Sequence, residues 1–400
     1  MKILVAWDSE TEVELISMYL GIDDNEVTSA IGADAFAAQI ASGTAFDVVL
    51  MSIDMPDVDG GYFLFDQFRK LRPEVPVVGA CRTEEVIRIV KFMAHGMKAY
   101  VIRDASGDYM FMLQAILDST IEAVRAAQNE ELAQKLREEV ESVRKLQQTV
   151  IPKRVDAPAG YEIIGRYEPS QIRVLGGQPV TMAGGDYYDV FRLPDDNVVL
   201  LVGDASGHGM KAAMSIMTMH TLVRMIRTHE YRDTAHFVEV INKQLCEQSI
   251  VSEEGGFITM LYAILNVEKS ELQWTSAGHP PPIVQNFDTG VVELAAGVEA
   301  GGLPLAIMDD AEYEVYTTPV PPNSRVMLFT DGIEEAFPDN AEAHDQFGVD
   351  GIIRTLKETT DLPLEDALQR LFDASSEYTQ GAGRHDDTSV VLFDRRQTAD

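Results

Sequence analysis

Apolar residues along the chain fall into two textures that meet near residue 150. Up to about residue 120, short apolar runs alternate with segments of helical periodicity. Residues 3–7 (ILVAW), 46–53 (FDVVLMSI), 75–80 (VPVVGA) and 99–102 (AYVI) read as buried strands, and 10–20, 60–71 and 84–95 read as helices between them. Such alternation predicts βαβ units and a parallel sheet covered on both faces. From residue 156 the strand-like segments cluster at 198–203, 257–267, 271–276 and 325–330, with helices at 210–229 and 233–250 grouped among them. That grouping predicts antiparallel sheets with helices outside.

Residues 109–150 carry neither Pro nor Gly, and Pro152 ends the run. Leu132, Leu136, Val140, Val143, Leu146 and Val150 recur every three or four positions among Glu, Lys and Arg. The pattern predicts an amphipathic helix whose seam either packs on its own domain or pairs two chains as a coiled coil through residues 130–150. The expected plan is a domain over 1–120, a helical linker over 121–152 and a second domain over 153–397.

Composition changes this picture little, but charge narrows it. The 400 residues are 46% hydrophobic and 24% charged, ordinary values for a folded chain. Acids outnumber bases 65 to 32, for a net charge of −33, which disfavours nucleic acid and anionic membranes as partners. Residues 121–155 escape the excess, with six acids against seven bases, which suits close helix pairing. Only two cysteines occur, Cys81 and Cys246, and no apolar run is long enough to cross a membrane, so a reducing, cytoplasmic location is expected.

Candidate chemistry is concentrated in the second domain. GGDYYD (184–189), GDASGHG (203–209), TDG (330–332) and GRHDDTS (383–389) each put an Asp at a strand end or in a Gly-rich turn. Carboxylates converging from rigid strand ends make an oxygen-only site suited to Mg²⁺ or Mn²⁺, whereas no Cys/His cluster has zinc spacing. Each motif alone is weak, because Asp-Gly is a common turn. The ordered set, with SAGHPPP (276–282) between, resembles the PPM-type (type 2C) metal-dependent Ser/Thr phosphatases, in the bacterial branch that controls sporulation and stress sigma factors. That resemblance implies a four-layer α-β-β-α sandwich with two Mn²⁺ or Mg²⁺ ions in a cleft between the sheets. By position, Asp186 and Asp204 would be central ligands, Asp204 bridging. The Ala205 carbonyl would add a donor, Asp331 and Asp386 would complete the second ion, and Asp387 is the next candidate. Asp189 could act through a water. His208 could protonate the leaving alkoxide, or simply shape its glycine turn; His279 is read as structural or substrate-facing. Gly184, Gly185, Gly203, Gly207 and Gly209 would let the backbone approach the ions. Residues 171–183 form a longer lead-in to GGD than the family usually has. The implied activity is hydrolysis of phosphoserine or phosphothreonine on a regulatory protein, an anti-sigma-factor antagonist by resemblance. The alternative is a non-catalytic adaptor that binds a sigma-factor regulator.

The first domain resembles a response-regulator receiver, carried by FDVVLMSIDMPDVDG (46–60), which implies a flavodoxin-like five-stranded α/β sheet. Its switch positions depart from the family. The phosphoacceptor Asp falls on Ser52, the acidic pair is reduced to Trp7 and Asp8, the Thr/Ser position holds Cys81, and the switch Lys is Arg103. Ser52 has no carboxylate to take a phosphoryl group or bind Mg²⁺, so a pseudo-receiver with another input is expected.

Overall fold

The computed structural model describes residues 1–152, 155–172, 180–181, 183–207, 209–226, 232–252, 255–338, 345–380 and 385–396. The chain divides into two compact units, Met1–Leu136 and Arg137–Asp400.

In the first unit, strands β1 (Lys2–Trp7), β2 (Glu26–Ile31), β3 (Val48–Ser52), β4 (Val77–Arg82) and β5 (Ala99–Arg103) form a parallel sheet of order β2-β1-β3-β4-β5. Helices α1 (Glu10–Leu20), α2 (Ala33–Ala41), α3 (Val58–Leu71), α4 (Val86–Ala94) and the start of α5 (Leu113–Val150) cover it. Successive residues of β1 feed opposite cores: Leu4 and Ala6 pack with Phe36, Phe65 and Phe92, whereas Ile3, Val5 and Trp7 pack with Ile16, Leu113 and Leu117. The apolar runs predicted a parallel sheet covered on both faces, and the flavodoxin-like strand order is the one that the receiver resemblance implied. Strand β2 escaped the pattern because EVTSAI is polar: it is an outer strand, and only Ala30 is buried in it. Helix α5 runs unbroken past residue 120.

The second unit adds β6 (Tyr161–Glu168), β7 (Gln171–Ile172), β8 (Val180–Thr181), β9 (Asp186–Arg192), β10 (Val198–Ala205), β11 (Ile258–Asn266), β12 (Glu271–Ala277), β13 (Ile283–Asn286), β14 (Val292–Leu294), β15 (Tyr316–Pro319), β16 (Ser324–Phe329) and β17 (Thr388–Arg395). Two antiparallel five-stranded sheets result, ordered β15-β12-β11-β10-β9 and β14-β13-β16-β17-β6, while β7 pairs β8 separately. Val198, Leu200, Val202, Val326, Leu328, Val391 and Phe393 fill the core between the sheets. Outside, α6 (Met210–Ile226), α7 (Thr234–Cys246) and α8 (Ser249–Ser252) cover the first sheet, and α9 (Gly348–Glu358) and α10 (Leu364–Tyr378) cover the second. This is the expected α-β-β-α sandwich. The single helix expected over 233–250 is in fact two, α7 and α8, with α7 capped at Glu247.

Candidate metal centre

Antiparallel pairing decides which acids meet. Asp186 opens β9 and is the cross-strand partner of Asp204 near the end of β10, so both carboxylates lie on the face turned to the second sheet. From that sheet, Asp331 follows β16 by two residues, and Asp386 and Asp387 immediately precede β17. Pairing of Phe329 with Val390 sets those two strand ends side by side. Four strand ends from facing sheets thus bring five aspartates to one end of the sandwich.

Their surroundings make full ionisation costly. Asp186 is 1% exposed and its pKa is held well above the usual carboxylate range, first by burial and then by Asp204 and Asp387, against a hydrogen bond donated by the Thr330 hydroxyl. Burial likewise raises Asp204, reinforced by Asp331 and Asp386. Asp331 is pushed up to about 6 by burial and Glu335, and Glu334 to about 7 by burial and Asp331. Buried carboxylates that raise one another in this way call for a cation.

Asp186 Oδ1 and Asp331 Oδ1 are buried and accept no hydrogen bond. These orphaned hard oxygens fit a divalent cation such as Mg²⁺ or Mn²⁺. A Cβ on Gly185 would stand 2.8 Å from the Ala205 carbonyl oxygen and 3.0 Å from Asp204 Oδ1, so the missing side chain leaves both donors open on the same side. Among the described residues, no three His, Cys, Asp or Glu side chains are already gathered into one coordination sphere.

Other predicted residues have different places. Asp387 is also 1% exposed, but Oδ1 accepts from the Ser170 N–H (2.7 Å) and Oδ2 from the Gly185 N–H (2.6 Å), which makes it a strut for the GGD turn. Asp189 does not join the site: three residues along β9 from Asp186, it falls on the opposite face, where Arg224 (3.0 Å) and the Tyr187 hydroxyl (3.0 Å) hold it. His208, with most of the long lead-in to GGD, lies outside the described residues.

His279 is structural. It is buried and bridges the sheets, Nδ1 accepting from the Thr259 hydroxyl (3.0 Å) and Nε2 donating to the Phe329 carbonyl (2.9 Å). Thr259 pairs with Asp204, and Phe329 lies two residues before Asp331, so this imidazole braces two acid-bearing strand ends. Burial lowers its pKa to about 4, against a smaller upward pull from the Phe329 carbonyl. The unfolded chain protonates at about 6.5, so the contribution of neutral His279 is complete above that pH and is lost as pH falls toward 4. In EDTA, urea unfolding of wild type is expected to lose about 2 kcal/mol more between pH 7 and pH 5 than His279→Gln does. Parallel pH profiles would remove this role.

In the first unit, the degenerate switch residues form a closed network. Arg103 donates to Asp8 (2.8 Å), Ser52 (3.0 Å) and Glu12 (2.8 Å), and lies 4.7 Å over the Trp7 ring. Glu12 also accepts from Trp7 Nε1 (2.8 Å) and the Tyr109 hydroxyl (2.9 Å). Glu12 was not singled out from the sequence; it sits in the first turn of α1, and only the fold brings it to Arg103. Cys81 is fully buried and its thiol is pushed up to about 11 by burial and Asp54, which leaves it a poor nucleophile at neutral pH.

Comparison with known proteins agrees with both units. Residues 3–112 match the response regulator receiver domain, and residues 194–396 match Stage II sporulation protein E (SpoIIE). Phosphoserine phosphatase RsbU of Bacillus subtilis is 23% identical over 66% of this chain and 72% of its own length. Phosphoserine phosphatase RsbP of the same organism is 22% identical over 52% of this chain, which spans 49% of RsbP; another curated relative is spanned over 35% of its length. The SiaA-PP2C domain of Pseudomonas aeruginosa shares the fold at a TM-score of 0.54 and 18% identity, over 66% of this chain and 98% of that one. Sandwich, facing acids and family match converge on one assignment: the chain belongs to the SpoIIE family, with a PPM-type phosphatase domain preceded by a response-regulator receiver domain.

Proposed function

We propose that the second domain hydrolyses phosphoserine or phosphothreonine on a small regulatory protein, a phosphorylated anti-sigma-factor antagonist. The observation that carries this reading is the set of buried Asp186 and half-buried Asp204, Asp331 and Asp386, delivered by facing sheets, with two carboxylate oxygens orphaned. These four carboxylates and the Ala205 carbonyl would hold two Mn²⁺ or Mg²⁺ ions. When bound, such ions supply an acidified water and neutralise charge on the phosphoryl group. The chain's own part is to hold the acids rigidly: Thr330 fixes Asp186, Asp387 fixes Gly185, and His279 joins the two strand ends. The test is phosphate release from candidate phosphoserine proteins with Mn²⁺ and with EDTA. Metal-dependent release is expected; stable binding of the phosphoprotein with no release would favour the adaptor.

The first domain is proposed to regulate this activity without aspartyl phosphorylation. Arg103 places a fixed cation between Asp8 and Glu12 and hydrogen-bonds Ser52, which supports a closed site. Acetyl phosphate or beryllium fluoride is therefore expected to leave both mass and phosphatase rate unchanged. An adduct on Ser52 or Asp54 would overturn this.

The linker is proposed to pair two chains. Leu132, Leu136 and Leu146 are more than half exposed on α5. The combined Leu136→Asp and Leu146→Asp change is expected to halve the mass seen by light scattering; an unchanged mass would remove the seam.

A further inference from the structure

Within the second unit, the last turns of α5 carry one fully buried polar side chain, Gln147, at 1% exposure. Its neighbours Leu146 and Gln148 are exposed. The amide makes a two-point pair with Gly184: Oε1 accepts from the Gly184 N–H (2.9 Å), and Nε2 donates to the Gly184 carbonyl (2.9 Å). Nε2 also reaches the Asp186 carbonyl (3.3 Å). These contacts fix the orientation of the amide, because a flip would set donor against donor.

The position of β9 explains why a side chain is needed there. It is the outer strand of its sheet, so every second backbone group faces away from β10. The Gly185 carbonyl is taken by the Ala205 N–H (2.9 Å), inside the sheet. Gly184 and the Asp186 carbonyl belong to the open side, and Gln147 satisfies them as another strand would. Asp387 closes the turn from a third direction by accepting from the Gly185 N–H. The backbone carrying Asp186 is thereby clamped between β10, Asp387 just before β17, and α5.

We propose that Gln147 is a positioning residue for the metal centre, by which the long helix α5 sets the backbone at Gly184–Asp186 and hence the aim of the Asp186 carboxylate. This rests on the metal reading above. No covalent step is involved, and Gln147 touches no proposed ligand side chain; it acts through the main chain.

The test has two readouts in full-length protein. In EDTA, hydrogen exchange at the Gly184 amide is expected to accelerate at least about tenfold in Gln147→Leu, because its acceptor is gone. By calorimetry, Mn²⁺ binding is expected to weaken by about 10- to 100-fold, the usual cost of removing a group that orients a ligand. The exposed neighbour change Gln148→Leu is expected to alter neither. If Gln147→Leu fails to fold, Gln147→Asn, one methylene too short to span the clamp, is read in the same way. Unchanged Mn²⁺ affinity in a folded Gln147 variant would overturn the proposal. Absence of Mn²⁺ binding by wild type would instead overturn the metal reading, and exchange at Gly184 would still decide whether the clamp exists.

Discussion

Asp204→Asn is expected to lower metal-dependent phosphate release by at least about 10³-fold while leaving the metal-free protein as stable as wild type, or more so. The two signs have one cause. Asp204 pairs across the strands with Asp186, and its pKa is raised by burial, Asp331 and Asp386, so it couples Asp186 to the acids of the facing sheet. With no cation bound, folding must either bury its charge among like charges or protonate it against its unfolded preference; neutral Asn avoids both and keeps the shape. With a cation, the same charge is what the site offers. Thermal unfolding with and without Mn²⁺ separates the cases. Wild type should gain stability on adding Mn²⁺, and the variant should gain little. A variant that retains release within tenfold of wild type, or that gains as much from Mn²⁺, would move Asp204 out of the centre. General misfolding predicts the opposite sign in EDTA, so a lower unfolding temperature there would also count against this account.

Strands whose residues are buried on both faces, such as ILVAW in β1 and VVLLVG in β10, announce themselves as apolar runs. Outer strands do not: EVTSAI in β2 is polar, and β9 mixes four aromatic and apolar residues with Asp186, Asp189 and Arg192. The acid set was legible because Asp next to Gly at a strand end survives as a local word. Which face an acid takes was not. Asp186 and Asp189 look equivalent in GGDYYD, yet the two-residue period of a strand sends them to opposite sides of the sheet. Asp386 and Asp387 differ for a similar reason: only the approach of Ser170 and Gly185 makes Asp387 a strut. Gln147 and Glu12 were invisible because their partners lie 37 and 91 residues away, and a Gln or Glu on a polar helix has no local signature.

Arg325→Met is expected to cost about 3–5 kcal/mol of folding stability, a larger loss than any other substitution considered above. Arg325 and Asp394 are fully buried and are cross-strand partners in β16 and β17. The guanidinium grips the carboxylate with two nitrogens, Nε to Oδ1 at 2.7 Å and Nη2 to Oδ2 at 3.0 Å, and donates to the Thr359 and Leu362 carbonyls at 3.2 and 3.3 Å. Removing it strands a buried carboxylate whose remaining cation, Arg396, is half-exposed. The cost is the uncompensated charge rather than the worth of the pair, so Arg325→Met combined with Asp394→Leu should recover most of it. Asp331 lies six residues from Arg325, about 20 Å at strand spacing, too far for direct influence on the acids. Urea unfolding should therefore show a large loss for the single change and a small one for the double, while Mn²⁺ affinity of the folded fraction stays at the wild-type value. A single variant losing less than about 1 kcal/mol would mean that the carboxylate is solvated or protonated at little cost. A fall in Mn²⁺ affinity in step with stability would mean that the β16–β17 ladder transmits strain to Asp331 and Asp386, and that the acid-bearing end of the sandwich does not hold its geometry independently of the far end.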